Sequence, residues 1–363
     1  MKTVNLIIIA TYFLVCVSYS SSKYVNYLKN NTEVVDMKDS LQFKTLNDDF
    51  YNNKLFLVGE IHEVESSPRI DFAMFTQLNE NINIDVYLLE MDLAKGYYLQ
   101  KFLEGSDDIE LKEILERWPV FIGRISEKHR AKWMKMRAYY SQLTLASKFK
   151  VIGIDKIADF GLVRRLLIEK LPKHVIESIP TDTEALISWS NEKLSKFLES
   201  GQSQLRQDDL TLLRNIQYNL SNYNQIKSRD QFMYKNFKRL YFQNKWEHKN
   251  IYGAFGFAHT LQAYNYTMAG RIKKDSILPY TNNMVSMNTM YVDSHLTVQS
   301  MILPKFMQDK GNTYTRFKYS QDNRLLMYIK GIADYKKVTK PNSISLIRLD
   351  EKNSPYLNST RGT

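Results

Sequence analysis

Four short apolar segments constrain the fold of this chain more than any other feature. They run from Lys54 to Val58, Ile84 to Leu89, Lys150 to Ile154 and Asn250 to Phe257. Their length and their Val, Ile, Tyr and Phe content predict buried strands, and long segments of helical character separate them. Strands that alternate with helices predict an α/β fold with a central, largely parallel sheet flanked by helices.

The segments between the strands carry apolar residues at helical spacing. Such spacing occurs in residues 68–79, 127–147 and 208–241, the last as one or two helices. Pro68 suits the first turn of its helix, and Ser66 or Ser67 suits the N-cap. Residues 181–207 predict an inserted helical pair that could serve as a lid. We therefore expect a helical insertion at about residues 160–240.

The C-terminal third predicts a β extension of the sheet with some antiparallel character. Four segments suggest strands there: Ser276 to Tyr280, Met290 to Val292, Arg324 to Ile329 and Ser343 to Ile347. Linkers rich in Pro, Gly or Ser, internal repeats and low-complexity tracts are all absent. We therefore expect residues 21–363 to form a single domain.

Residues 1–20 have the layout of a secretory signal peptide. A lysine precedes an apolar run at residues 6–17, and small residues follow near a cleavage point between Ser20 and Ser21. The run is short for a membrane span, so an uncleaved anchor is the less favoured alternative. The sequence predicts a secreted or periplasmic protein with no stable membrane insertion after cleavage.

Cysteine content and charge exclude several classes of function. Cleavage would remove Cys16, the single cysteine, and with it any disulfide or thiol nucleophile. A metal ion would then be held by His, Asp, Glu or water. The formal net charge is +11, but the Lys and Arg residues are dispersed and form no nucleic-acid-binding signature, so we expect no nucleic-acid partner.

Each of the four predicted strands ends in ionisable residues. Glu60 and His62 follow the first strand, Glu90 the second, Asp155 the third and His259 the fourth. Because the carboxyl ends of parallel strands meet at one edge of a sheet, these side chains should converge on one crevice. A single carboxylate at a strand end is often only a cap. Four such endings predict a functional cluster, which needs cations to balance its carboxylates.

Arg229 is the candidate cation, on the helix that leads into the fourth strand. Its planar guanidinium could hold a carboxylate or a developing oxyanion, whereas the alternative is an ordinary surface arginine. The remaining histidines are expected to be surface or ordinary core residues: His129, His174, His248 and His295. A Gly-x-Ser-x-Gly elbow does not occur, so a serine nucleophile is not expected.

Taken in order, these segments resemble the erythromycin-esterase-like hydrolases. The resemblance spans residues 56–261 and rests on Gly-Glu-Ile-His at residues 59–62, on Glu90, on an Arg-Asp-x-x-Met-x-x-Asn motif that begins at Arg229, and on His259. That group is related to haem-binding ChaN-like lipoproteins and to TIKI/TraB proteases. The Gly-Glu-x-His spacing here is closer to those two branches than to the esterases.

The resemblance implies roles for the clustered residues. His62 matches a general base that activates water, and Glu60 and Glu90 match acidic residues that orient the base or bind substrate. Arg229 and His259 match residues that line the same cleft. Arg69 and Asp155 are the further candidates for substrate binding.

Three functional hypotheses remain open at this point. The first is hydrolysis of an ester, lactone or amide bond in a small-molecule or peptide substrate. A variant of it adds a divalent metal ion held by Glu60, His62 and His259. The second is a ChaN-like module that binds haem or a metal without turnover, and the third is a non-catalytic interaction protein.

Overall fold

The computed structural model describes residues 23–36, 41–116, 127–200, 205–323 and 327–357. The chain divides into two compact units: Asp49–Thr289 with Thr297–Arg316, and Met1–Asp48 with Met290–Leu296 and Phe317–Thr363. The predicted signal peptide lies outside the described residues. That residues 21–363 form a single domain stays a prediction.

The elements follow one another along the chain as the alternation of patterns predicts. The strands are β1 (Thr32–Asp36), β2 (Leu55–Glu60), β3 (Val86–Leu89), β4 (Lys150–Gly153), β5 (Ile251–Gly256), β6 (Met284–Asn288), β7 (Ser294–Gln299), β8 (Tyr314–Tyr319), β9 (Asp322–Asn323), β10 (Met327–Tyr328) and β11 (Ser343–Ile347). The α-helices are α1 (Asp48–Tyr51), α2 (Ser67–Ile82), α3 (Leu93–Leu103), α4 (Asp108–Glu116), α5 (Glu127–Gln142), α6 (Phe160–Lys170), α7 (Lys173–Ile176), α8 (Thr183–Trp189), α9 (Ser195–Ser200), α10 (Gln207–Ser221), α11 (Arg229–Gln243), α12 (Met268–Lys274) and α13 (Ile332–Tyr335).

The central sheet has five strands in the order β4-β3-β5-β2-β6, and every neighbouring pair is parallel. The four apolar segments between residues 54 and 257 that were predicted as strands all belong to it, which confirms the α/β fold class. The register places Glu60 opposite Gly256 and Leu89 opposite Ala254. The residues that follow β2, β3, β4 and β5 therefore emerge at one edge of the sheet.

The strand predictions for the C-terminal third are only partly correct. β6 pairs with β2 and was not predicted, whereas Ser276–Tyr280 and Met290–Val292 form no strand. Ser343–Ile347 is a strand, but it pairs antiparallel with Thr32–Asp36 in a separate two-stranded sheet rather than extending the central one. Of the predicted strand at 324–329, residues 324–326 lie outside the described part, and β10 pairs antiparallel with β9.

The predicted helices are present with shifted ends. Helix α2 begins after the N-cap Ser66 with Pro68 in its first turn, as expected. Helix α5 ends at Gln142, five residues before the predicted end, and residues 208–241 divide into α10 and α11. Residues 181–200 contain α8, a π-helical turn at Ser190–Leu194, and α9. The lid function of this segment stays a prediction.

One core cluster of the larger unit lies between the central sheet and the two helices α11 and α12. Fully buried members include Leu57 of β2, Phe255 of β5, Phe237 of α11 and Ile272 of α12. Burial of each such side chain contributes about 1.5–3 kcal/mol relative to exposure. Among the described residues, none of the helices has both the length and the apolar character needed to cross a bilayer.

Candidate functional site

Glu60 and His62 form the first pair of the site, at the carboxyl end of β2. Glu60 is the last residue of the strand and is 7% exposed. A tight turn follows, in which the carbonyl of Ile61 accepts hydrogen bonds from the Val64 N–H (3.0 Å) and the Ser67 hydroxyl (2.7 Å). This turn brings the imidazole of His62 back to the strand end, where Nδ1 lies 2.8 Å from Glu60 Oε1.

Glu90, directly after β3, is the centre of the cluster. Its Oε2 lies 3.1 Å from His62 Nε2 and accepts a 2.5 Å hydrogen bond from the Gly256 N–H at the end of β5. Its Oε1 accepts from Arg229 Nη2 at 2.8 Å and lies 3.6 Å from His259 Nε2. A Cβ at Gly256 would sit only 3.2 Å from both Glu90 Oε2 and His62 Nε2, so glycine permits this close approach.

Arg229 links two strand ends from the first turn of α11. The N-cap Ser228 accepts from the Gln231 N–H and fixes the start of this helix. The guanidinium pairs with Asp155 after β4, including an Nε–Oδ1 contact of 3.3 Å, as well as with Glu90. Burial raises the pKa of Asp155 above its usual range although Arg229 opposes this rise. Arg229 itself is half exposed, so a substrate can reach it.

His259 lies in a short 3₁₀ turn, Phe257–Thr260, that follows β5. Its Nδ1 is 2.9 Å from Asp230 Oδ1, which also accepts a 2.7 Å hydrogen bond from the Met268 N–H at the start of α12. Burial lowers the pKa of His259, but the hydrogen bond with Asp230 and the nearby carboxylate of Glu90 outweigh it and raise the pKa to about 9. His259 is therefore a cation at neutral pH.

The two glutamates are ionised in spite of their burial. Burial raises the pKa of Glu60, but the hydrogen bond with His62 and the nearby charges of His62, His129 and Lys132 lower it to about 2. Burial likewise raises the pKa of Glu90, and His62 and His259 hold it well below its usual range. The site thus combines buried carboxylates with histidine and arginine cations at short range.

A second, fully polar network beneath the cluster was not predicted from the sequence. Asp71 of α2 accepts hydrogen bonds from Tyr252 (2.6 Å), from Tyr87 (2.5 Å) and from the ammonium of Lys132 (2.6 Å). The two tyrosines are register partners on β3 and β5. In the sequence, Lys132 stands among the apolar positions of α5, but this pattern does not indicate which residues it pairs with.

His129 lies in the core, one of the two positions that the sequence predicted for it. It is 4% exposed, and its Nε2 donates to the carbonyl of His62 at 3.1 Å. A small cavity lies behind the Glu60–His62 pair, and His129 and Lys132 contribute to its lining. Helix α5 therefore supports the turn that carries His62.

The structure assembles most of the predicted site. Its hydrogen bonds and ion pairs join the strand-end residues and the helix residue into one cluster: Glu60, His62, Glu90, Asp155, Arg229 and His259. Arg69 lies in the first turn of α2, and its role in substrate binding stays a prediction. His174 and His248 are exposed, as expected, and His295 is half buried.

The donor atoms do not fit a resident divalent metal ion. In the described part of the chain, no three His, Cys, Asp or Glu residues are arranged to hold one. Both ring nitrogens of His62 face carboxylates, and Nδ1 of His259 faces Asp230. Glu60, His62 and His259, the ligands predicted for a metal-dependent variant of the reaction, are therefore not arranged around a common metal position. We derive no step through a metal.

Comparison with solved structures confirms the predicted resemblance at the level of the fold. The fold is an α/β fold shared with erythromycin-esterase-like proteins. A single-residue variant of the erythromycin esterase EreC, in its open conformation, matches with a TM-score of 0.53 and 12% identity over 80% of this chain and 83% of that one.

Two further solved structures match more of this chain. One is a protein from Bacillus cereus, with a TM-score of 0.58 and 12% identity over 88% of this chain and 83% of that one. The other is a succinoglycan biosynthesis protein, with a TM-score of 0.61 and 13% identity over 88% and 84%. A scan against protein-family models and a search of curated proteins find no match.

Proposed function

We propose that the protein hydrolyses an ester, lactone or amide bond in a small-molecule or peptide substrate, with water activated at His62. The observation that carries this proposal is the contact of both His62 ring nitrogens with buried carboxylates, at 2.8 Å to Glu60 and 3.1 Å to Glu90. Hydrolysis needs a base that accepts a proton from water and keeps it during attack on the carbonyl.

The geometry assigns different tasks to the two ring nitrogens of His62. The shorter contact, Nδ1 to Glu60, keeps a proton on Nδ1, so Nε2 is the nitrogen that gives up its proton when His62 becomes the neutral base. Nε2 faces Glu90 and Gly256 at the common edge of the strands, so a water molecule that takes the place of this longer contact can give its proton to Nε2. The imidazolium that forms is then stabilised by carboxylates on both sides.

Arg229 and His259 supply the positive charge that the reaction requires. Both contact Glu90 Oε1, at 2.8 Å and 3.6 Å, so they lie on the same side of the cluster. The negative charge on the carbonyl oxygen in the transition state can be stabilised by these two N–H donors. An ion pair with Asp155 fixes the orientation of Arg229, and an ion pair with Asp230 fixes that of His259.

The similarity to an erythromycin esterase supports a hydrolase at the level of the fold, without indicating the substrate. The predicted signal peptide supports action outside the cytoplasm, in a secreted or periplasmic protein. This location also stays part of the proposal.

The test is a screen of the purified protein against ester, lactone and peptide substrates, each with and without added divalent metal. We expect turnover of at least one class, and a loss of about 10²–10⁴-fold in kcat for His62→Asn. His248→Asn, which changes an exposed histidine, is the matched control and should retain full activity. Full activity of His62→Asn would refute the proposal.

The haem-binding alternative makes a different prediction for the same sample. A ChaN-like module should show a haem absorbance band after haem is added, and His62→Asn or His259→Asn should weaken that band. Haem binding together with inactivity toward all three substrate classes would favour the alternative.

A further inference from the structure

A second cavity lies among the helices of the insertion, and none of the cluster residues lines it. Its volume is about 180 Å³. Helices α9, α10 and α11 provide its lining: Ser195, Leu198, Glu199, Arg214, Gln217 and Arg239. It therefore contains two arginines and one carboxylate.

The guanidinium of Arg239 has only neutral partners among the described residues. Its Nε donates to Asn215 Oδ1 at 2.9 Å, its Nη2 donates to the carbonyl of Arg214 at 3.3 Å, and it lies 4.6 Å from the centroid of the Tyr218 ring. Burial and the like charge of Arg214 lower the pKa of Arg239, although Tyr218 opposes them. A half-buried cation of this kind is costly unless an anion accompanies it.

Arg214 contributes a second positive charge to the cavity. Its side chain makes no hydrogen bond or ion pair with any other described residue, while its backbone carbonyl supports Arg239. Ser195 and Gln217 bring neutral hydrogen-bond donors to the same cavity. The carboxylate of Glu199 also faces this space, but its side chain is exposed and water screens its charge.

We propose that this cavity binds a small oxyanion between Arg214 and Arg239, as free phosphate or sulfate or as a carboxylate. The planar guanidinium matches the oxygen geometry of all three anions. Pockets for drug-sized ligands measure roughly 300–1,000 Å³, so a cavity of about 180 Å³ suits a single anion or the anionic end of a longer molecule. This site does not depend on the hydrolase proposal.

Isothermal titration with inorganic phosphate, sulfate and acetate, at constant ionic strength in chloride, tests the site on the full chain. We expect saturable binding of at least one anion in the millimolar range or tighter. Preference for phosphate and sulfate would indicate a tetrahedral anion, and preference for acetate would indicate a carboxylate. The absence of saturable binding for all three anions would overturn the proposal.

Two substitutions separate this site from general attraction to a protein of net charge +11. Arg214→Gln should weaken binding about tenfold or more, since a hydrogen bond between charged groups is lost. Arg130→Gln removes an exposed arginine of α5 and should leave the affinity unchanged. Equal weakening in both variants would show nonspecific surface binding and contradict the proposal.

Glu199→Gln gives an independent check with the opposite sign. Removing the carboxylate that faces the cavity should tighten anion binding, because its repulsion of the anion is lost. If Glu199→Gln instead left the affinity unchanged and lowered thermal stability, Glu199 would be the intramolecular partner of the arginines. That outcome would overturn the proposal of an external anion.

Discussion

At the scale of single residues, Glu90 determines how the charges of the cluster are arranged. One carboxylate accepts from a backbone N–H and lies against His62, Arg229 and His259. A buried carboxylate with this many partners cannot lose one without leaving charge uncompensated. The same carboxylate therefore fixes the distances among the groups proposed to activate water and to stabilise the oxyanion.

Glu60→Gln distinguishes two roles of Glu60: orienting the His62 ring and stabilising the positive charge that this ring acquires. The amide oxygen can still accept from Nδ1, so the tautomer is retained, but the imidazolium loses a stabilising negative charge. We expect kcat to fall about 10–100-fold with KM nearly unchanged. Steady-state kinetics measures both, and Glu80→Gln, at an exposed position of α2, is the control. A raised KM with unchanged kcat would contradict this role.

Lys132→Met tests the buried network beneath the site. The substitution leaves Asp71, which is 1% exposed, with tyrosine hydroxyls but no cation. Breaking a buried ion pair costs about 3–5 kcal/mol, so the free energy of unfolding should fall by that order. Urea denaturation measures it, and Lys135→Met, exposed on the same helix, should change it by less than about 0.5 kcal/mol.

The sequence predicted the strand-end residues of the site and Arg229 of α11, but not the residues that α5 contributes. Glu60, Glu90 and His259 follow apolar runs, and parallel pairing alone brings such positions to one edge. His129 and Lys132 reach the site because α5 packs over the sheet. No local pattern specifies that packing, so their positions could not be predicted.

At the scale of elements, two glycines allow α3 to pack directly on β4. A Cβ at Gly96 would overlap the backbone of Gly153, and a Cβ at Gly153 would overlap the carbonyl oxygen of Asp92. Asp92 is also the N-cap of α3 and accepts from the Lys95 N–H at 3.0 Å. The helix start and the end of β4 are therefore fixed together, close to Asp155.

Gly96→Ala should destabilise the protein although alanine favours helices. The helix gains about 1 kcal/mol from the substitution, whereas overlap with backbone atoms costs typically 1–3 kcal/mol because backbone cannot move aside easily. We expect a net loss in the free energy of unfolding, measured by urea denaturation. Gly161→Ala, at an exposed position of α6, is the control and should be neutral or stabilising. A stabilised Gly96→Ala would contradict the packing argument.

The wrong strand prediction at residues 276–280 has a physical cause. Leu278 and Tyr280 are buried in the core beside α11, so their apolar character reflects packing of an irregular segment rather than a strand. Pro279 between them has no N–H to donate to a sheet. The strand that does extend the sheet, Met284–Asn288, contains two polar residues and was missed because its apolar run is too short.

At the scale of the whole molecule, the carboxylates of the cluster should make the free energy of unfolding depend on pH in the acidic range. The pKa of Glu60 is about 2 in the folded protein, below its ordinary value of 4.5. Its contribution to stability is therefore complete above about pH 4.5 and is lost as the pH falls toward 2. The free energy of unfolding, from urea denaturation at each pH, should decline over this range, and the decline should be smaller in Glu60→Gln.

His259 produces the opposite dependence at the alkaline end. Its folded pKa of about 9 lies above the ordinary value of 6.5, so the folded state holds the proton more tightly. The resulting stability is complete below about pH 6.5 and is lost as the pH rises through 9. His259→Gln should abolish this decline, whereas the exposed control His248→Gln should retain it. An unchanged decline in His259→Gln would contradict the assignment. Because the same proton serves the proposed oxyanion site, kcat/KM of the wild-type protein should fall as the pH rises through about 9.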